Sequence, residues 1–196
     1  MTVTIEFFWD AVSPYSYLAG TQIEALAARN EARLVWRPFL LGGVMQATGN
    51  RPPLTVPAKF SHMLVDLQRW AAYYGVPLRK PDNFPASTLN VQRIACALPA
   101  AEVSHWARAT ASAYWGRGED ISQPETIRAI ASSLGHDADA LLAAAQDDAI
   151  KTRLKANTDE AVQRGAFGAP TFFIGDAMYW GNDRLPLLER ALTSRR

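Results

Sequence analysis

Two spacings of apolar residues alternate along the chain. Residues 3–8 form a β-branched and aromatic run, which predicts a buried strand. The run stops at Asp10-Ala-Val-Ser13-Pro14. A serine followed by proline predicts a helix start: the hydroxyl caps free N–H groups, and proline lacks the N–H that would go unpaired. Tyr17, Leu18, Ile23, Leu26 and Ala27 then recur at helical spacing, predicting one helix over 14–28. In 33–39, Leu34 and Trp36 alternate with more polar neighbours, predicting a second strand. Strand, helix and strand in such close succession form a βαβ unit, whose strands run parallel.

The Gly- and Pro-rich stretch 42–57 reads as a loop. Helical patterns follow at 58–74, 88–98, 101–115, 123–133, 138–145 and 147–163. Ser122 and Asp137 stand where helix caps are expected, and Tyr114-Trp115-Gly116-Arg-Gly reads as a helix end with a glycine stop. Strand character returns at 171–174 and 177–180, separated by Gly175-Asp176, which predicts a hairpin. Gly181-Asn182-Asp183 ends it and caps a last helix over 184–193. No period of 20–50 residues repeats. The order is βαβ, a helical block, then ββα. This predicts an α/β, thioredoxin-like fold built from 1–42 and 166–196, with an all-helical insertion at 43–165.

Composition narrows the function. Twenty Lys/Arg against nineteen Asp/Glu give a net charge of +1, so the basic excess of a nucleic-acid binder is missing. The ending Arg195-Arg196 is too short for an interaction tail. Cys96 is the only cysteine, which rules out an internal disulfide and a C-x-x-C redox pair. Placed beside Ile94 and Leu98, it reads as a buried small hydrophobe. No basic and apolar leader opens the chain, and no apolar run approaches the ~18 residues of a membrane span. A protein of the reducing cytoplasm, with no membrane partner, is expected.

The chemistry-bearing residues are few. His62, His105 and His136 lack ligand spacing, so no metal site is expected. There is no Gly-x-Ser-x-Gly elbow, which argues against a serine hydrolase. Ser13-Pro14-Tyr15-Ser16 has the spacing of a C-x-x-C with both sulfurs replaced by oxygen. Taken alone, it is an ordinary Ser-Pro helix cap. Asp10, three residues earlier, is equally open as a cap neighbour or a site carboxylate. Most of the aromatics belong to a core by base rate, yet Trp9, Tyr15 and Trp180 flank the proposed site and are candidates for a substrate wall.

Several segments together carry a resemblance. Phe8-Trp-Asp-Ala-Val-Ser13-Pro14-Tyr15-Ser16-Tyr17-Leu18 resembles the first turn of the 2-hydroxychromene-2-carboxylate isomerase family. That family is kin to the kappa-class glutathione transferases, in the DsbA-like branch of the thioredoxin superfamily. Gly49-Asn50-Arg51-Pro52-Pro53 with Lys59, Phe167-Gly168-Ala169-Pro170-Thr171, and Trp180-Gly181-Asn182-Asp183-Arg184-Leu185 agree in order and spacing. Asp66-Leu-Gln-Arg-Trp70 and Val76-Pro77 are similar to the family as well.

The resemblance implies a glutathione-dependent isomerase acting on a small aromatic substrate, typically as a homodimer. Ser13 would be the catalytic residue, donating to the thiolate of glutathione at a helix start that favours an anion. It further implies a cis Pro170, with the Ala169 backbone pairing with the cysteinyl unit. Asn182, Asp183 and Arg184 would receive the γ-glutamyl end, although a plain helix start explains those residues equally well. Asn50 and Lys59 would reach the glycine end; unaided, they read as a turn asparagine and a solvated lysine. The alternatives are a kappa-like transferase or peroxidase on the same site, and a non-catalytic thioredoxin-fold binding module.

Overall fold

The computed structural model describes residues 2–194; the Arg195-Arg196 ending lies outside the described residues. Strand β1 (Thr4–Trp9) lies at the centre of a mixed four-stranded sheet of order β2-β1-β3-β4. It pairs in parallel with β2 (Arg33–Pro38), as the βαβ pattern predicts, and antiparallel with β3 (Thr171–Ile174). β3 turns through Gly175-Asp176 into antiparallel β4 (Ala177–Trp180), the predicted hairpin.

Both faces of β1 are covered, which explains its unbroken apolar run. Ile5, Phe7 and Trp9 enter the larger core, where Phe7 stacks on Phe172 with ring centroids 4.8 Å apart. Phe8 enters a smaller cluster with Phe39, Val44, Ala161 and Phe173. Glu6 points to that second side and binds Arg37 and Arg164, each at 2.8 Å. Both guanidiniums lie over rings of the cluster, Arg37 at 4.9 Å from Phe8 and Arg164 at 3.8 Å from Phe173.

The helices are α1 (Pro14–Gly20), α2 (Ile23–Arg29), α3 (Leu41–Thr48), α4 (Pro57–Tyr74), α5 (Leu89–Ala97), α6 (Val103–Ala111), α7 (Pro124–Ser133), α8 (Ala138–Ala144), α9 (Asp148–Gln163) and α10 (Leu185–Thr193). None of the described helices is long and apolar enough to cross a membrane.

Five expectations change. The helix over 14–28 is two helices, because Thr21 turns its hydroxyl onto the Leu18 carbonyl at 2.7 Å while the Trp36 ring crowds Gly20. The loop over 42–57 contains α3 and a short 3-10 turn at Pro53–Thr55. Partners distant in sequence stabilise α3: Leu40 N–H donates to Thr158 Oγ1 at 3.0 Å and Leu41 N–H to Asp10 Oδ2 at 2.8 Å. The segment after α6 widens into a π turn, Ser112–Arg117, which carries the helical backbone two residues past 115 to the glycine stop at Gly118. Ser122 caps nothing; Asp120 accepts both its N–H and its hydroxyl, and Gln123 precedes α7. Asn182 is likewise no cap: it opens a 3-10 turn, Asn182–Arg184, and α10 begins at Leu185.

The helical segment grips the sheet through buried polar groups. Gln92 of α5 is fully buried and donates to the carbonyls of Trp9 (2.8 Å) and Phe39 (3.1 Å), where β1 and β2 end. Trp115 Nε1 donates to Ala11 O at 2.9 Å. Replacing Gln92 with leucine strands two buried acceptors, so Gln92→Leu should lower unfolding free energy by about 2 kcal/mol or more in urea titrations. An unchanged midpoint and slope would show that the two bonds contribute nothing net.

Candidate functional site

The sheet brings three turns to one end. Ser13 caps α1: its Oγ accepts from Ser16 N–H at 3.1 Å, and the residue is 3% exposed. The same hydroxyl donates to Ala169 O at 3.1 Å, across 156 positions of chain. The Ala169–Pro170 bond is cis, as expected. Pro170 O accepts from Gly181 N–H at 3.0 Å, which joins this turn to the one after β4. Gly181 has φ of 104°, and a Cβ there would run into the Asp183 carboxylate, so only glycine fits. Gly168 lies beneath the Trp180 indole, which leaves no room for a side chain.

These turns open onto a cleft of about 1400 Å³, whose far wall comes from α3, the Pro-rich segment, α4 and the start of α5. Of the predicted residues, Ser13, Tyr15, Asn50, Lys59, Ala169, Trp180, Asn182 and Asp183 line it. Asn182 is 2% exposed, and its Nδ2 is buried without a hydrogen-bond partner. Asn50 Nδ2 donates to Phe167 O at 2.7 Å, strapping the Pro-rich segment to the Phe167–Pro170 turn.

Three predicted residues lie elsewhere. Trp9 is 2% exposed and packs edge-on against Trp36 at 6.0 Å, inside the core. The pleat decides this: Trp9 shares the inward face with Ile5 and Phe7. Pro170 stands behind Ala169 rather than in the lining, and Arg184 turns its guanidinium onto Asp183 at 2.6 Å. Sequence reasoning missed Asp66, Met63, Trp70 and Thr88 as wall residues. Asp66 and Trp70 had a readable signal, since their i, i+4 spacing places both on one face of α4.

The chain matches the DSBA-like thioredoxin domain over residues 4–193. A 2-hydroxychromene-2-carboxylate isomerase of Sphingobium xenophagum is 38% identical, over 98% of this chain and 99% of that one. The chain belongs to the 2-hydroxychromene-2-carboxylate isomerase family. A solved 2-hydroxychromene-2-carboxylate isomerase superposes with a TM-score of 0.91 at 31% identity, covering 98% of this chain and 95% of that one. Glutathione S-transferase kappa 1 of Homo sapiens is 31% identical over 96% of this chain and 90% of its own length.

In this isomerase-family cleft the titratable groups have unequal roles. Asp10 resolves as a buried anchor: Oδ1 accepts from Val12 N–H (3.1 Å) and the Thr88 hydroxyl (2.7 Å), and Oδ2 accepts from Leu41 N–H. Burial raises its pKa above the ordinary carboxylate value, against the opposing pull of the three donors. Tyr15 Oη donates to Asp66 Oδ2 at 3.0 Å; burial, then the Asp66 carboxylate, push the phenol far up, so it stays neutral. Cys96 lies outside the cleft, buried beneath α9, and burial raises its thiol to about 11.

Two outcomes follow. The unfolded chain releases the Asp10 proton near pH ~3.9, while the folded state keeps it to higher pH. The stability of wild type relative to Asp10→Asn should therefore fall as pH rises above about 4. A difference that is flat or rises with pH would mean that the three donors outweigh burial. Cys96 should not react with Ellman's reagent at pH ~8 in the native protein and should react fully in guanidinium; prompt native reaction would contradict its burial.

Proposed function

We propose that the protein is a glutathione-dependent isomerase that converts 2-hydroxychromene-2-carboxylate, or a related aromatic-degradation intermediate, to trans-o-hydroxybenzylidenepyruvate. One observation carries the reading. The cleft presents a capping hydroxyl at a helix start and, among its described lining, neither cysteine nor histidine. The cleft therefore holds no thiol of its own, and the reading assigns the covalent step to a thiol brought from outside. Glutathione supplies a thiolate that adds reversibly to the conjugated substrate, allows rotation about the former double bond, and leaves unchanged.

The residues present suit that peptide. Ser13 turns its single hydroxyl proton from Ala169 O toward the sulfur, and the Ser16 N–H holds its oxygen in place. The Ala169 backbone runs beside the cysteinyl unit. The orphaned Nδ2 of Asn182 offers a donor to the γ-glutamyl carboxylate, and Asp183 faces its ammonium. Arg184 acts through Asp183, by holding that carboxylate. Lys59, which lines the cleft with Asn50, neutralises the glycine carboxylate. Tyr15 and Trp180 wall the aromatic substrate. A reducing cytoplasm keeps such a thiol reduced, and the exposed Tyr73 and Leu187 provide apolar surface for a homodimer.

The kappa-class relative supports a second reading, transferase or peroxidase chemistry on the same site. The purified protein should equilibrate the chromene only when glutathione is added, and should not conjugate aryl halides or consume glutathione with peroxide. Equal rates with and without the thiol would overturn the proposal. Ser13→Ala removes a donor to an anion, so the rate should fall about tenfold to a hundredfold and its acidic limb should move to higher pH. The lost cap will also lower stability by about 1 kcal/mol. A Ser13→Ala enzyme with the wild-type pH profile would reduce the serine to a cap.

A further inference from the structure

A second cavity, of about 480 Å³, lies in the groove between α3, α5 and α9. Leu40, Gly43 and Leu89 line both it and the reaction cleft, so the two share a wall without sharing Ser13. Its surface is mainly apolar, with Ala47, Leu154 and Val162 added to the shared leucines. Its volume suits a small ligand.

Arg93, half-buried on α5, also lines this cavity. Its Nε is fully buried without a hydrogen-bond partner, and no acidic side chain among the described residues pairs with it. The other cations of the lining differ. Lys151 binds Asp148 at 2.8 Å and Lys155 binds Asp159 at 2.5 Å, both along α9. Arg93 is therefore the charge left without a counter-ion, set against leucine side chains. Its Nε donor is withdrawn from water and unpaired, which is unfavourable, and the planar fork beyond it matches a carboxylate. A phosphate would need more donors than one fork and two already paired lysines.

We infer that the α3–α5–α9 cavity is a second small-molecule site. It takes an aryl carboxylate, with the carboxylate on Arg93 and the ring against Leu40, Leu89 and Leu154. The site is separate from the glutathione cleft, and its existence does not depend on the reaction proposed there. Leu41, the first residue of α3 and next to the shared-wall Leu40, bonds to Asp10 of the cleft. A ligand seated here therefore rests on the helix that walls the reaction site.

The probe is 2-naphthoate, titrated calorimetrically into the full chain without glutathione, and 6-bromo-2-naphthoate soaked into crystals. The bromine should give an anomalous peak between α3, α5 and α9. Arg93→Leu should weaken naphthoate binding at this site about tenfold or more, Arg93→Lys should keep part of it, and wild type should bind neutral 2-naphthamide about tenfold less tightly than the acid. The amide comparison uses wild type alone, so it stands even where a variant folds poorly. Bromine found only in the Ser13 cleft, equal affinity for acid and amide, unchanged affinity in Arg93→Leu, or binding at crystal concentration only would each overturn the inference. Glutathione binding measured on the same samples tests the reaction proposal separately.

Discussion

The antiparallel pairing of β1 with β3 is the constraint on which the site depends. It joins the start of the chain to its last thirty or so residues, with Phe8 opposite Thr171. Because the strands run in opposite directions, the exit from β1 and the entry to β3 fall at the same edge of the sheet. Ser13 and Ala169 therefore meet, although their single hydrogen bond spans 156 positions. Trp180 lies opposite Thr171 in the next ladder, so the turn after β4 returns to that edge too. A one-residue slip would send every side chain of β1 to the wrong face. The two aromatic clusters, Phe7 with Phe172 on one side and Phe8 with Phe173 on the other, hold the register.

The helices between the two halves turn that edge into a cleft. They are tied to it by a few buried polar groups that donate to or accept from named backbone groups. Asp10 gathers Val12, Leu41 and Thr88, and so sets the spacing of the Ser13 turn, α3 and α5 with one carboxylate. Gln92 and Trp115 do the same for the ends of β1 and β2. Such bonds are directional where apolar contacts are not, and misplacing any one of them leaves a buried donor or acceptor unpaired. The far wall is therefore placed by polar geometry and filled by apolar side chains.

The chemistry of the cleft follows from what its groups lack. Tyr15 is held neutral by burial and Asp66, while Cys96 is elsewhere and its thiol is raised to about 11. Neither can act as an anion near neutral pH. At the start of α1 stands a hydroxyl held by Ser16 N–H and aimed at Ala169 O, a geometry suited to orienting a sulfur rather than attacking a carbon. Under the proposed function, a peptide thiol takes the place that the oxygen-for-sulfur replacement leaves at the start of α1 in this DsbA-like scaffold.

The sequence alone determined what depends on neighbours a few positions apart. The period of β1, the βαβ handover to β2, the hairpin at Gly175-Asp176 and the Ser13-Pro14 helix start are local steric and capping effects, and all stand in the structure. Eight of the residues named from the sequence, most of them through the family resemblance, line the cleft. Only the tertiary structure decided the rest. α3 forms in a Gly-rich stretch because Asp10 and Thr158, far away in sequence, accept its first N–H groups. Trp9 is inside because the strand's pleat turns it there, and Arg184 is outside because Asp183 captures it. Asp10, open to two readings in the sequence, becomes an anchor once three elements converge on it. Each of these outcomes depends on a partner supplied by folding, and no local spacing encodes a partner a hundred residues away.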